Sequence, residues 1–106
     1  MESVGDDRAL RKRRIINVLL ALEEGEVTTY GDVAEVAGYP KQSRLVGRIL
    51  RDSATDIPWW RVVGSQGRIR TANPALQAEL LVEENVLVAG GRILEAPIGR
   101  FRRCDL

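Results

Sequence analysis

The feature that most constrains the fold is a pair of short helical segments separated by Gly38-Tyr39-Pro40. Glycine ends helices readily, and the residue before a proline resists helical geometry, so the chain is expected to turn here. Two short helices joined by a tight turn are typical of a helix-turn-helix. Apolar residues recur at helical spacing on both sides of the turn, and they are Val33, Ala34, Val36 and Ala37 before it and Leu45, Val46, Ile49 and Leu50 after it.

A longer helix is predicted ahead of this pair, over Asp7–Leu22, with Gly25 after its end. A second, short helix is predicted to follow Thr28 or Thr29, because Thr29 and Asp32 have the spacing of a capping box, with Asp in place of Glu. The third helix is predicted over Lys41–Arg51. The predicted fold class is therefore mainly α with small β-hairpins, around a winged helix-turn-helix-like core of three helices.

The second half of the chain is predicted to add β-structure and one more helix, after a polar loop over residues 52–56. Gly64–Gly67 and Gly90-Gly91 are turn sequences between apolar residues, which is typical of hairpins. Pro74 suits the first turn of a helix. The predicted elements are a hairpin or wing over residues 62–70, a helix over Pro74–Glu84 and a second hairpin over residues 86–94.

Length and composition predict one globular domain over residues 1–106, with loose tails at 1–6 and 100–106. The chain has 106 residues, of which 44% are hydrophobic and 29% are charged, as in ordinary soluble domains. No apolar run has the length of a membrane span, and the first residues lack the apolar core of a signal peptide, so a cytoplasmic location is expected. No segment resembles a dimerisation helix, so we expect a monomer.

The chain has no histidine and a single cysteine, Cys104. Without histidine it lacks the commonest general base and the commonest metal ligand. A zinc site would need Cys and His ligands that are not present. These absences point away from an enzyme, and we predict no metal site and no cofactor and expect Cys104 to be a surface thiol.

Arginine accounts for 14 of the 16 basic residues, although the net charge is only +1. Arginine suits bidentate contacts with phosphates and base edges. A coding bias towards arginine would give the same composition, so this feature alone leaves both interpretations open. The basic run Arg11–Arg14 is expected to be a solvated helix face, with phosphate contact as the alternative.

Three motifs carry a resemblance to a known family, and they cover Val27–Ala34, Pro40–Gly47 and Ile57–Val63. In this order and at this spacing they resemble the C-terminal domain of the O6-alkylguanine-DNA alkyltransferases, from about Arg11 to Leu94. The family carries Pro-Cys-His-Arg-Val, where the cysteine accepts the alkyl group and the histidine helps to make it a thiolate. This chain has tryptophan at both positions.

Trp59 stands at the cysteine position and Trp60 at the histidine position, and an indole is no nucleophile for this reaction. Tryptophan at the cysteine position is a pattern of the alkyltransferase-like proteins. The resemblance therefore implies a non-enzymatic protein that binds double-stranded DNA containing alkylated guanine and marks it for nucleotide excision repair proteins. Glu84 matches the glutamate that orients the family's histidine, and it is expected to have lost both partners.

The resemblance also implies how the base is recognised. Tyr30 matches a tyrosine that pushes the 3′ phosphate and promotes rotation of the nucleotide out of the duplex. Arg44 matches an arginine that fills the vacated stack, while the small residues Ser43 and Gly47 permit close approach of the DNA backbone. Without the family motif, we would interpret Tyr30 as a core aromatic and Arg44 as a solvated side chain.

The pocket for the alkylated guanine is expected to contain Tyr30, Trp59 and Val62. In the family, main-chain carbonyls near the cysteine and near Val62 hold the amino edge of the guanine. We assign Trp60 to packing and expect Arg61 to brace the fold. Arg68 and Arg70 are expected on the wing, where they contact phosphate or approach the pocket.

Two other functions remain open from the sequence. One is a helix-turn-helix transcription regulator that reads sequence and is indifferent to alkylation, although such proteins usually dimerise. The other is an alkyltransferase that uses Cys104 as its acceptor.

Relatives place an asparagine hinge after the recognition helix, which is the third predicted helix in this chain. No such asparagine is evident here, since Asp52 or Ser53 stands at that position.

Overall fold

The computed structural model describes residues 6–52 and 56–102. A 3-10 turn at Trp59–Arg61 precedes β2, and a second one at Ser65–Gly67 follows it. The helices and strands in chain order are α1 (Asp6–Leu20), β1 (Glu26–Thr29), α2 (Tyr30–Val36), α3 (Ser43–Asp52), β2 (Val62–Val63), α4 (Pro74–Glu83), β3 (Leu87–Ala89), β4 (Arg92–Glu95) and β5 (Ile98–Gly99).

The helix-turn-helix forms as predicted, and the ends of α2 show why. Thr29 has extended backbone angles, and its hydroxyl oxygen accepts a hydrogen bond from the Asp32 N–H at 3.0 Å, which caps the first turn of α2. At the other end, Gly38 adopts a left-handed φ of +96°. The Tyr39 N–H then donates to the Ala34 carbonyl at 2.8 Å, and the Gly38 N–H donates to the Glu35 carbonyl at 3.0 Å. This is the hydrogen-bond pattern of a Schellman motif, which stops a helix firmly.

The third helix begins two residues later than predicted. Lys41 has a φ of +72°, which lies in the left-handed region and cannot be part of a right-handed helix. The turn between α2 and α3 therefore extends through Gln42, and Ser43 is the first residue of α3.

The prediction of a hairpin over residues 62–70 is wrong. β2 pairs in parallel with β1, with Thr28 opposite Val62 and Thr29 opposite Val63, and β5 pairs in parallel with the other edge of β1. The parallel partner was missed because β1 has only four residues and runs directly into α2. The second predicted hairpin is confirmed, since β3 and β4 pair antiparallel around Gly90 and Gly91.

Two apolar clusters form the core, and they lie on either side of the β1–β2 pair. The first, under α1, α2 and α3, includes Ile15, Leu19, Val33, Val46 and Ile49. The second, under α4 and the hairpin, includes Val27, Val63, Leu81, Val86 and Ile93. Because β1 and β2 contribute residues to the second cluster while Val62 belongs to the first, the short strands join the two halves.

The chain after β5 is packed against the domain as far as it is described, where a loose tail over 100–106 was predicted. Arg100 Nη1 lies 2.6 Å from both carboxylate oxygens of Asp32, Phe101 packs on the second cluster, and Arg102 bridges to Ala96. Residues 1–5, 53–55 and 103–106 lie outside the described residues, so the predictions for the remaining tails and for Cys104 and Ser53 lie outside them too. Among the described helices, none is long and apolar enough to cross a membrane.

Gln77 fixes the 3-10 turn before β2 to α4. It is completely buried, and its Nε2 donates to the carbonyls of Trp60 and Val62, both at 3.0 Å. Its Oε1 accepts from the Thr71 hydroxyl at 3.1 Å. A buried amide with each group satisfied specifies one arrangement of the turn, because an unpaired carbonyl in this position would carry a desolvation penalty.

Candidate nucleic-acid interface

Tyr30 lies where β1, α2 and α3 meet. It is the first residue of α2, directly after β1, and its half-buried ring packs against the first cluster. A Cβ atom added at Gly47 of α3 would lie 3.9 Å from Tyr30 Cε1, so the glycine leaves the ring close to the backbone of α3. Tyr30 is thereby held between the two helices of the helix-turn-helix.

The phenol of Tyr30 stays protonated at neutral pH. Burial raises its pKa above the ordinary value of about 10, and the positive charge of Arg70 offsets part of that rise. The hydroxyl group is therefore a neutral hydrogen-bond donor beside a cation. Such a pair is suited to an anionic oxygen, to which both groups can donate.

Arg70 approaches Tyr30 across Gly64. A Cβ atom added at Gly64 would lie 2.5 Å from Arg70 Cδ and 3.3 Å from the Arg68 carbonyl oxygen, so only glycine leaves room for the arginine stem. Gly64 follows β2 as Tyr30 follows β1, and the parallel strands pair in register with Thr29 opposite Val63. The two positions therefore lie at the same edge of the sheet.

The predicted residues of α3 lie on its first turns. Ser43 is its first residue and is half-buried, and Arg44 next to it is exposed. Arg48, one turn further along the same helix, is exposed as well. The structure therefore brings Tyr30 and Gly47 into contact and leaves Arg44 extended from the second helix of the helix-turn-helix, free of an ion pair with any described carboxylate.

The adjacent tryptophans Trp59 and Trp60 diverge. Trp59 packs against the first cluster and Trp60 against the second. Their rings are nearly perpendicular, at 89°, with centroids 6.1 Å apart. The packing role predicted for Trp60 is therefore confirmed, while the pocket role of Trp59 stays a prediction, with its side chain partly buried at the edge of the first cluster.

Glu84 is the centre of a buried hydrogen-bond network, although the sequence predicted a glutamate without partners. Its carboxylate accepts from Trp60 Nε1 at 2.7 Å and from the Gly25 N–H at 2.8 Å. Arg61 donates to it through Nε at 3.0 Å and Nη2 at 2.8 Å, and Arg61 Nη1 donates to the Leu22 carbonyl at 2.8 Å. Arg61 braces the fold, as predicted, and Trp60 supplies a hydrogen bond in addition to its packing.

The network holds the pKa of Glu84 below its ordinary value. Burial alone would raise the pKa of this carboxyl group, but the hydrogen bonds from Arg61, Gly25 and Trp60 and the charge of Arg61 together outweigh the burial. The carboxylate is therefore ionised at neutral pH in the folded protein, and it accepts a hydrogen bond from Trp60, Gly25 and Arg61.

Val62 lies in the core, whereas the sequence analysis predicted that it lines the pocket for the alkylated guanine. The residue is completely buried within the first cluster, and its carbonyl accepts the hydrogen bond from Gln77. The Trp60 carbonyl is occupied in the same way. One glutamine thus donates to both carbonyls, and the pocket role of Val62 stays a prediction.

Arg68 and Arg70 follow the second 3-10 turn and are both exposed. They were predicted on a wing, but they lie beside the β3–β4 hairpin and not in it. Arg68 forms an antiparallel bridge with Arg92, the first residue of β4, and the neighbouring Ile69 N–H donates to the Gly91 carbonyl at 2.9 Å. Arg92 was not a predicted site residue.

Residues 11–86 match the family described as "6-O-methylguanine DNA methyltransferase, DNA binding domain". The chain belongs to this family. The matched range includes the helix-turn-helix, the sheet edge with Tyr30, Glu84 and the 3-10 turn at Trp59–Arg61, which we call the tryptophan turn. The arginines of the β3–β4 hairpin and of the chain end lie after it.

Relatives of this family domain include proteins without a methyltransferase name. The "DNA base-flipping protein" of Escherichia coli (strain K12) is 42% identical over 82 residues, which cover 74% of this chain and 64% of the relative. The "Alkyltransferase-like protein 1" of Schizosaccharomyces pombe is 28% identical over 95 residues, covering 84% of this chain and 83% of that protein. The chain thus spans less than two thirds of the length of the E. coli relative.

Solved structures with the same fold include complexes with DNA. S. pombe Atl1 "in complex with damaged DNA containing O6-carboxymethylguanine" matches with a TM-score of 0.67 and 27% identity, covering 84% of this chain and 83% of that chain. The Mycobacterium tuberculosis OGT "in complex with DNA" matches with a TM-score of 0.62 and 29% identity, covering 69% of this chain and 48% of that chain. The fold of an alkyltransferase C-terminal domain is thereby confirmed for this chain.

Two structural features of the interface were not found from the sequence. The bond from Trp60 to Glu84 joins residues 24 positions apart, but a buried indole N–H usually finds an acceptor, and that requirement was the available signal. The pairing of Arg92 with Arg68 had no such signal, because two exposed arginines in separate elements suggest no contact.

We predict that Glu84→Gln lowers the stability of the fold at neutral pH and flattens its dependence on acid. The folded-state pKa of Glu84 is depressed, so its contribution is fully present above the ordinary value of about 4.5 and is lost as the pH falls through the folded pKa. At pH 7 the free energy of unfolding of the variant is expected to be about 1–3 kcal/mol lower than that of the parent protein, because an amide replaces the carboxylate that accepts from several buried donors.

Urea unfolding between pH 3 and pH 7 measures this, with Glu83→Gln as the control. Glu83 is the exposed neighbour of Glu84, and removal of its charge is expected to change the profile little. If the parent protein and Glu84→Gln lost the same amount of stability between pH 7 and pH 3, the role of the network would be refuted.

Proposed function

We propose that this protein binds duplex DNA that contains O6-alkylguanine, rotates the modified nucleotide out of the helix and does no chemistry on it. The observation that carries the proposal is the position of Tyr30, held between β1, α2 and Gly47 of α3 with its phenol protonated beside Arg70. A donor fixed in this way at the start of a helix-turn-helix is placed to act on a backbone phosphate.

The relatives support lesion binding by rotation of a nucleotide. The E. coli relative is named a DNA base-flipping protein, and the S. pombe relative of the same fold is solved with damaged DNA containing O6-carboxymethylguanine. A base inside a duplex cannot present its O6 substituent to a pocket, so recognition of this lesion requires rotation, at a cost of a few kcal/mol.

Tyr30 and Arg44 divide the work of rotation in this proposal. The Tyr30 hydroxyl group and the Arg70 guanidinium engage the phosphate that moves when the nucleotide turns. Arg44, exposed on α3, enters the duplex and fills the space that the base leaves, since a flat cation with several donors can stack and hydrogen-bond there. Ser43 and Gly47 lie near Arg44 on α3, and their small side chains allow the DNA backbone to approach this helix closely. Arg68 adds a positive charge to the interface.

Trp59 supplies the wall of the proposed pocket. Its partly buried indole offers an apolar surface to an alkyl group, and it has neither a thiol to accept that group nor a neighbouring base. The residue after it, Trp60, donates to Glu84 and so leaves no acid–base pair at this turn. We therefore infer binding without transfer. That the bound protein marks the lesion for nucleotide excision repair stays a prediction from the resemblance.

The first test is a titration of a short duplex with one central O6-methylguanine and of the same duplex without it, at fixed salt, read by tryptophan fluorescence. A preference of about tenfold, or ~1.4 kcal/mol, is expected for the modified duplex. Equal binding to both would favour the alternative of a helix-turn-helix regulator without lesion preference. The intact mass of the protein after incubation is expected to be unchanged, and a methyl adduct would show transfer to an acceptor such as Cys104.

We predict that Arg44→Ala weakens binding to the modified duplex by about 1–3 kcal/mol, the range of a good contact with a base. Arg48→Ala is the matched control, because Arg48 is exposed on the same helix one turn away and carries the same charge. Losses of equal size in the two variants would show a general charge effect and would remove Arg44 from the stacked position.

We predict that Tyr30→Ala weakens binding to an intact duplex more than binding to a duplex with a mismatch opposite the modified base, where rotation is easier. Tyr30→Phe keeps the ring against Gly47 and removes only the hydroxyl group, so it separates packing from phosphate contact. The measurement is the affinity of the parent protein and of each Tyr30 variant for the intact duplex and for the mismatched duplex. Equal losses on the intact and mismatched duplexes would mean that Tyr30 is structural only.

A further inference from the structure

An open groove of about 860 Å³ lies between the chain after the second 3-10 turn and the tip of the β3–β4 hairpin. One wall is residues 68–71, and the other is residues 89–92. The walls are joined at the floor by the hydrogen bond from the Ile69 N–H to the Gly91 carbonyl at 2.9 Å and by the bridge between Arg68 and Arg92. The groove is therefore built by β-type pairing and is a fixed feature of the fold.

Three arginines face this groove, and none of the described residues that line it is acidic. Arg68, Arg70 and Arg92 are all exposed, and within the described part of the chain none of them forms an ion pair with a carboxylate. Arg68 and Arg92 are opposite each other in the antiparallel bridge. Like charges directly opposite across strands destabilise a sheet, so an anion bound between Arg68 and Arg92 would relieve their repulsion.

The tip of the hairpin leaves the groove open to a large ligand. Gly90 and Gly91 have φ values of +60° and +72°, and a Cβ atom added at either one would have no atom within 4 Å. Two adjacent glycines with left-handed angles form a tight hairpin turn without side chains. A rod-like ligand can thus pass over the turn and present successive charges to the arginines on either side.

The groove is continuous with the proposed interface through Arg70. This side chain lines the groove, its stem crosses Gly64, and its charge acts on the Tyr30 phenol, whose ring lies against Gly47 of α3. Arg70 therefore connects the groove to the helix-turn-helix. A nucleic-acid backbone that follows α3 and Tyr30 would reach the groove next.

We propose that Arg68 and Arg92, next to Arg70, form a second site for the phosphate backbone of the same duplex, outside the helix-turn-helix and indifferent to the lesion. The proposal rests on the DNA binding proposed above and adds Arg92 and the hairpin to the footprint. Guanidinium groups bind phosphate oxygens in bidentate fashion, and each neutralised phosphate releases counterions. The site supplies affinity for any duplex, while Tyr30, Arg44 and Trp59 discriminate the modified base.

The test is the salt dependence of binding to an undamaged duplex, compared between the parent protein and the double variant Arg68→Gln/Arg92→Gln. Each phosphate contact contributes about 0.9 to the slope of log Kobs against log salt. We expect the double variant to lower this slope by about two, while the ratio of affinities for modified and unmodified duplex stays unchanged. Arg70 is left intact in this variant because it also neighbours Tyr30.

Arg13→Gln/Arg14→Gln is the charge-matched control. Both of these arginines are exposed on α1 and lie outside the groove, so the net charge falls equally but the slope is expected to change little. The groove variant is also expected to melt at the same temperature as the parent or higher, because it loses a like-charged pair. A lower melting temperature would show that the two arginines serve the fold, and an unchanged slope would overturn the site.

A small anion is the alternative occupant, and inorganic phosphate distinguishes it. If millimolar phosphate at matched ionic strength raised the melting temperature of the parent but not of the groove variant, while the salt slopes of the two agreed, the groove would be a site for free anions. A changed ratio for modified over unmodified duplex would instead mean that the groove reads the lesion. If the protein does not recognise the lesion, the parent protein itself will bind the modified and unmodified duplexes equally. The groove proposal is judged by the salt slope of the variant instead, so the two proposals can be refuted separately.

Discussion

The parallel pairing of β1 with β2 places Tyr30 and Arg70 of the proposed interface next to each other. It sets Thr29 opposite Val63, so that Tyr30 and Gly64 leave the sheet at the same edge. Tyr30 then continues into the helix-turn-helix, and Gly64 gives passage to the stem of Arg70. Two strands of four and two residues would be weak alone. They persist because they lie between the two apolar clusters, and Gln77 holds β2 from the side of α4.

Glu84 performs the corresponding task at the other end of β2. It joins the loop after α1, through Gly25, to the tryptophan turn, through Trp60 and Arg61. These partners are 59, 24 and 23 positions away along the chain, so the carboxylate ties together segments that no local hydrogen bond connects. Because the network is largely buried, loss of its acceptor leaves several donors unpaired, and the position of Trp59 depends on this bracing of its neighbours.

The sequence predicts the helical part of this fold well and the β-structure poorly, and the reason is physical. Helices carry local signals, such as the Thr29 cap and the Gly38 stop, and both were found in the structure as predicted. The parallel partner of β2 lies more than thirty positions earlier in the chain, and a strand as short as β1 has no periodicity to detect. The same limit applies to the site. Tyr30 and Arg44 sit on predicted helices, whereas the burial of Val62 and the pairing of Arg68 with Arg92 depend on long-range contacts.

The tryptophan turn keeps a buried hydrogen-bond network in which an indole is one of the donors. Trp60 still donates to Glu84, at 2.7 Å, so the carboxylate has a donor from this position as it would from a histidine. The indole can give that hydrogen bond but cannot take up or release a proton at neutral pH, so no proton leaves the turn. Arg61 neutralises the carboxylate within the same network. The charges of Glu84 and Arg61 are therefore paired with each other, and Trp59 lies beside this network, partly buried at the edge of the first cluster.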